Sequence, residues 1–177
     1  WGKEDDFEGV IDLVRMRALV FEEASLGAKM IEREIPEPLA AEAEKARAAL
    51  VETVAEKDEE VLKQYVADAD ISPELLKRGI RRATVAGVLV PVLCGAALRN
   101  KGVQPLLDAV VDYLPSPLDV PAIRGVHPKT GEPVERHASD FEPLSALAFK
   151  ITTDPYVGRL TFVRVYSGIL KKGQNAF

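Results

Sequence analysis

The sequence predicts a mixed α/β chain that passes, toward its C-terminus, into an all-β region. Three observations carry this. Residues 39–84 are rich in Ala, Glu, Lys and Arg, with apolar residues recurring every three or four positions. At residues 88–93 the pattern switches to a short continuous apolar run, followed by a glycine-bearing polar loop and another helical stripe. After a Pro- and Gly-rich stretch come two runs dense in apolar and β-branched residues, 144–151 and 160–166.

Each element has a local cause. Residues 7–21 are apolar on both alternating faces, which predicts a strand or hairpin with a covered face. Gly27 marks a turn, and residues 30–35 return as a short strand that Pro36 and Pro38 end. Leu39, Ala43, Ala46, Leu50 and Val54 form the apolar stripe of a first helix. Asp58 caps a second helix, for which Val61, Leu62, Tyr65 and Val66 are the expected buried positions. Ser72-Pro73-Glu74 opens a third: a serine cap, proline in the first turn, then an acid at the positive end of the dipole. It should run to about Thr84 with Leu75, Leu76 and Ile80 inward.

The run Val88-Leu89-Val90-Pro91-Val92-Leu93 reads as a buried strand of a parallel sheet. The loop at 95–102 follows. Val103, Leu106, Leu107, Val110, Val111 and Leu114 then define a helix expected to pack on that strand, stopped by Pro115. In such units ligands bind outside the carboxyl ends of the strands. From spacing alone, Gly95–Leu98 reads as an ordinary β–α turn with glycine for backbone freedom. Residues 117–143 read as a linker. Residues 144–177 read as the start of a β-meander whose third strand is cut short, hence part of a larger β-domain.

Composition bounds the function. Apolar residues make up 47% and charged residues 29% of 177, an ordinary globular mixture that needs no disulfide to build a core. The single Cys94, among apolar neighbours, is expected to be buried and inert, and fits a reducing cytoplasm. A net charge of −5 argues against a general nucleic-acid binder, whose affinity rests on Lys and Arg neutralising phosphates, though local patches can differ from the total and leave a ribosome-associated protein open. Two histidines, His127 and His137, with one cysteine make no zinc set. No stretch has the apolar length of a membrane span, and the charged first residues contain no signal core.

The segment Pro91-Val92-Leu93-Cys94-Gly95-Ala96-Ala97-Leu98-Arg99-Asn100-Lys101-Gly102-Val103-Gln104-Pro105-Leu106-Leu107-Asp108-Ala109-Val110-Val111-Asp112-Tyr113-Leu114-Pro115-Ser116-Pro117 closely resembles the end of the GTP-binding domain of bacterial elongation factor G, a translational GTPase. Asp154-Pro155-Tyr156-Val157-Gly158-Arg159-Leu160 and Arg164-Val165-Tyr166-Ser167-Gly168 resemble the start of that family's β-barrel second domain. Asp5-Asp6-Phe7-Glu8-Gly9-Val10-Ile11-Asp12-Leu13 resembles the beginning of the insertion within its GTPase domain. The segments occur in the family's order and cover most of the chain.

The resemblance implies an internal fragment: insertion at 1–87, last strand, guanine-motif loop and final helix of a P-loop GTPase domain at 88–116, linker at 117–143, and first barrel strands at 144–177. The family's fifth guanine motif, usually Ser-Ala-Leu, falls on Ala96, Ala97 and Leu98. Its backbone N–H groups would face the guanine carbonyl, and losing the serine hydroxyl would cost about 1 kcal/mol. The phosphate loop GxxxxGK[ST] is absent, and Asn100-Lys101-Gly102-Val103 only imitates the base-binding Asn-Lys-x-Asp, with Val103 where the carboxylate belongs. In the family both elements lie upstream of Trp1.

GTP or GDP with Mg is therefore expected in an intact parent, not bound tightly by this fragment, and no catalytic or metal-ligating residue is expected in it. The resemblance further implies a cytoplasmic protein driving tRNA and mRNA translocation. It would meet the ribosomal stalk protein through residues 7–84 and small-subunit RNA through residues 144–177, with no DNA or membrane partner. Glu42, Glu44, Glu52 and Glu56 read first as a solvated helix face, with a partner-binding groove as the sharper alternative, and Arg159 and Arg164 serve equally as cross-strand pairing groups. Two other origins remain open: a release-factor or tetracycline-resistance GTPase, and a free-standing interaction module built on the helices of 39–84.

Overall fold

The computed structural model describes residues 1–22, 25, 27 and 29–175. It is a mixed α/β chain with small antiparallel sheets and four α-helices among those residues, divided into two compact units at Leu114 and Pro115.

The first unit opens with a three-stranded antiparallel sheet: β1 (Gly9–Asp12), β2 (Arg17–Phe21) and β3 (Met30–Arg33), with β2 central. Val10 stands opposite Leu19, and Phe21 opposite Met30. Val10, Leu19 and Phe21 form a small core to which Phe7 and Met30 add. Apolar residues on both faces of 7–21 and the turn at Gly27 predicted these strands, and the β1–β2 turn is shaped by Asp12, whose Oδ1 accepts the N–H groups of Val14 and Arg15.

Three helices follow, α1 (Glu37–Ala55), α2 (Glu59–Val66) and α3 (Pro73–Val85), each in contact with the other two. Val51, Val54, Val61, Leu76 and Ile80 meet between them. Asp58 and Ser72 cap α2 and α3 as expected, accepting the N–H groups of Val61 and Leu75. Arg47 fastens the sheet to the helices, with Nη1 on the carbonyls of Leu13 and Val14 (2.7 and 2.6 Å) and Nη2 on that of Ile71 (2.9 Å). Of the positions expected to bury α2, only Val61 does; Leu62, Tyr65 and Val66 are exposed.

The structure corrects the reading of residues 88–93. They form no strand, and Val88, Val90, Val92 and Leu93 are exposed, Val92 by 90%. Only Leu89 packs on the helical core. A parallel strand needs a neighbour to hydrogen-bond, and none of the described residues supplies one. Cys94, expected buried, is exposed for the same reason.

The helix after the loop, α4 (Val103–Tyr113), forms as expected but turns its other face inward. Ala109 and Tyr113 pack against the α1–α3 core, whereas Leu106, Leu107, Val110, Val111 and Leu114 stay exposed. Two polar grips on α3 set this orientation: Lys77 Nζ to Asp112 Oδ2 at 2.6 Å, and Arg81 Nη1 to the Asp112 carbonyl at 3.1 Å.

In the second unit, the stretch 117–143, read as a linker, contains a hairpin of β4 (Ile123–Val126) and β5 (Pro133–Arg136), with His127 opening the connecting loop and His137 following the second strand. After it, β6 (Ser145–Asp154) and β7 (Gly158–Ser167) make a long antiparallel ribbon. Asp154 Oδ1 accepts the N–H groups of Tyr156 and Val157 in the connecting turn. No third meander strand forms among residues 169–175.

Candidate functional site

The loop between residues 94 and 103 is a tightly closed turn. The Ala96 N–H donates to the Lys101 carbonyl at 2.8 Å, and the Lys101 N–H returns a bond to the Ala96 carbonyl at 3.1 Å. A 3-10 turn, Ala97–Arg99, sits at the tip, and Asn100 ends it in the left-handed region (φ 54°). At the neck the two glycines are required. Gly102 has φ 85°, and a Cβ on Gly95 would lie 2.7 Å from the Lys101 carbonyl oxygen.

The three residues read as guanine-facing therefore differ. Ala96 spends its N–H inside the loop. Ala97 and Leu98 open the 3-10 turn, where no carbonyl of the turn itself reaches their N–H groups and no side chain caps them. The Leu98 side chain is fully exposed. Ala96, Ala97, Leu98 and Arg99 line one wall of an open cavity of about 370 Å³, with Glu4 and Asp5 opposite. Arg99 bonds the Asp5 carbonyl (3.1 Å) and pairs with its carboxylate.

Sequence reasoning missed the residues that hold the loop. Lys101, read only as part of an imitation motif, is 5% exposed and donates from Nζ to the Phe7 carbonyl at 2.6 Å. Gln104 donates to the Gly27 carbonyl at 2.8 Å. The partners lie 94 and 77 residues away, so no local pattern signals them.

A larger cleft of about 540 Å³ lies between α1 and the α2–α3 turn, lined by Arg47, Glu52, Tyr65, Asp68 and Asp70 among others. Among the described residues no group of three or more His, Cys, Asp or Glu side chains is placed to hold a metal ion. No helix among them is long and apolar enough to cross a membrane.

No protein-family model matches the sequence. The chain is similar in fold to a crystal structure of a protein from Thermus thermophilus, at 26% identity and a TM-score of 0.68. The match covers 97% of this chain and 23% of that one, so the chain spans about a quarter of its relative's length.

Proposed function

We propose that this chain is the closing section of the GTP-binding domain of an elongation factor G-type translational GTPase, with the start of its β-barrel second domain. The observation that carries the reading is the bare apolar face beside the nucleotide-facing loop. Val88, Val90, Val92 and Leu93 are exposed on one side of that loop, and Leu106, Leu107, Val110, Val111 and Leu114 on the other. Soluble domains rarely leave so many apolar side chains open unless something covers them. A parallel sheet from the rest of a GTPase domain would cover both segments and give residues 88–93 their strand neighbours.

The residues present fit one edge of a guanine base, through the N–H groups of Ala97 and Leu98, and not the phosphates or magnesium. In this reading the remainder of the protein binds GTP and Mg and supplies the hydrolytic chemistry. This chain orients the base. The sheet and helices of the first unit would meet the ribosomal stalk protein in the cytoplasm. Residues 115–177 carry eight Lys or Arg against six Asp or Glu, in a chain of net charge −5, which suits contact with small-subunit RNA. Arg164 stands over the Tyr166 ring at 5.4 Å on that ribbon.

One set of measurements on the intact protein tests this. It should bind GDP and hydrolyse GTP faster with ribosomes, stripping the stalk protein should remove the stimulation, and Arg164→Ala should weaken footprints on small-subunit RNA. Absence of guanine-nucleotide binding overturns the reading; stimulation that survives loss of the stalk overturns only that partner.

A further inference from the structure

We infer that Lys101 is a positioning residue that fastens the nucleotide-facing loop to the N-terminal sheet, so that the sheet sets where the Ala97 and Leu98 amides point. The role toward nucleotide rests on the function proposed above; the fastening does not. Lys101 binds both sides at once. Its main chain closes the loop on Ala96, and its Nζ reaches the Phe7 carbonyl at 2.6 Å. Phe7 leads into β1 and packs on the Val10, Leu19 and Phe21 core, so this acceptor is held by buried structure.

Neighbouring contacts run the same way. Gln104, in the first turn of α4, grips the Gly27 carbonyl, and a Cβ on Gly27 would meet the Asn100 carbonyl oxygen at 2.7 Å. Gly27 thus lies directly against the loop. Arg99 adds its bonds to Asp5. The contacts are unequal, because Arg99 and Asp5 side chains are 40% and 95% exposed and water competes for them. Lys101 is 5% exposed, and a buried ammonium requires fixed acceptors. A partner that shifts the sheet would accordingly shift the loop, which is the condition for coupling two sites.

Amide hydrogen exchange on residues 1–177 tests this without any nucleotide. Lys101→Met keeps the aliphatic stem and removes the ammonium. It should speed exchange at Ala96, Asn100 and Lys101, and reciprocally at Glu8, by about tenfold, the scale of one charge-assisted hydrogen bond. The Leu76 amide, bonded to Ser72 in α3, should not change. Arg99→Ala should change the loop amides by less than about threefold, as a solvated pair does. Should Lys101→Met fail to fold, Gln104→Leu, which removes the Gly27 bond, should loosen the same amides severalfold. Unchanged loop exchange, or an equal rise throughout the first unit, overturns the inference. Loosening of the loop in a protein that binds no guanine nucleotide would keep the fastening and remove the proposed function.

Discussion

Asp58 serves two elements with one carboxylate. Its Oδ1 caps α2 through the Val61 N–H at 3.0 Å, while Oδ1 and Oδ2 together hold the Arg82 guanidinium of α3 at 2.8 and 2.6 Å. Arg82 also reaches Glu60 at 2.9 Å. The Arg82 hydrogen bond, above all, holds the Asp58 carboxyl below the usual carboxylate range, and burial only partly opposes it. Because the folded value lies below the unfolded one of about 3.9, the stabilisation is fully present above about pH 4. It is lost as pH falls through the folded value. Arg82 is half-exposed, so solvent trims the Coulombic share. Asp58→Ala, losing cap and pair, should cost about 2 kcal/mol at pH 7 in urea unfolding, and Asp58→Asn, which still caps, about 1 kcal/mol. Both gaps should narrow below pH 4; gaps that hold constant down to pH 2 would show that the charge contributes nothing. The cap was legible because it depends on residues three positions on. Its partner was not, since Arg82 lies 24 residues away, and Lys101 escaped notice for the same reason.

At the scale of elements, local chemistry predicted the helices and most strands, but it called for a strand at 88–93 that does not form, passed over the β4–β5 hairpin and left orientation open. Apolar residues on both alternating faces mark β1 and β2, and Asp58, Ser72 and Pro73 define the starts of α2 and α3; these signals act within a few residues. Burial of 88–93 and the inward face of α4 depend instead on what lies alongside. The stripe of Val103, Leu106, Leu107, Val110 and Val111 reads as the buried face, yet α4 is seated on Ala109 and Tyr113 by Lys77 and Arg81. Burial also pushes the Tyr113 phenol up to about 12. The helix therefore has two apolar faces, of which this chain covers one. Val111→Lys, at a position 77% exposed, should change the stability of residues 1–177 by less than about 0.5 kcal/mol. Ala109→Lys, at a position 8% exposed, should unfold the α3–α4 contact, at a cost above about 3 kcal/mol. In the intact protein, where the outer face is proposed to be covered, Val111→Lys should become destabilising as well. Thermal unfolding of both variants, in residues 1–177 and in the intact protein, decides; a large loss from Val111→Lys in residues 1–177 would mean that the outer face is already packed.

On the scale of the whole molecule, the question is how much nucleotide binding this chain can support by itself. Guanine nucleotides are ordinarily held by several groups acting together: a phosphate nest at a helix N-terminus, a carboxylate on the base, and magnesium on the terminal phosphates. The present loop offers the N–H groups of Ala97 and Leu98, since the Ala96 N–H is engaged by Lys101. A neutral hydrogen bond contributes a net of roughly 0.5–1.5 kcal/mol, whereas micromolar affinity requires about 8 kcal/mol. Two such bonds fall several-fold short. Stacking on the exposed Leu98 side chain adds little, because the cavity is open and the base would stay largely in water. Residues 1–177 should therefore bind GTP and GDP more weakly than about 10 µM in magnesium buffer, a threshold near 7 kcal/mol, and hydrolyse neither. Isothermal titration measures this directly. A tighter constant would mean that the phosphates find donors in this chain that the loop geometry does not provide, and would move the nucleotide site away from residues 96–98.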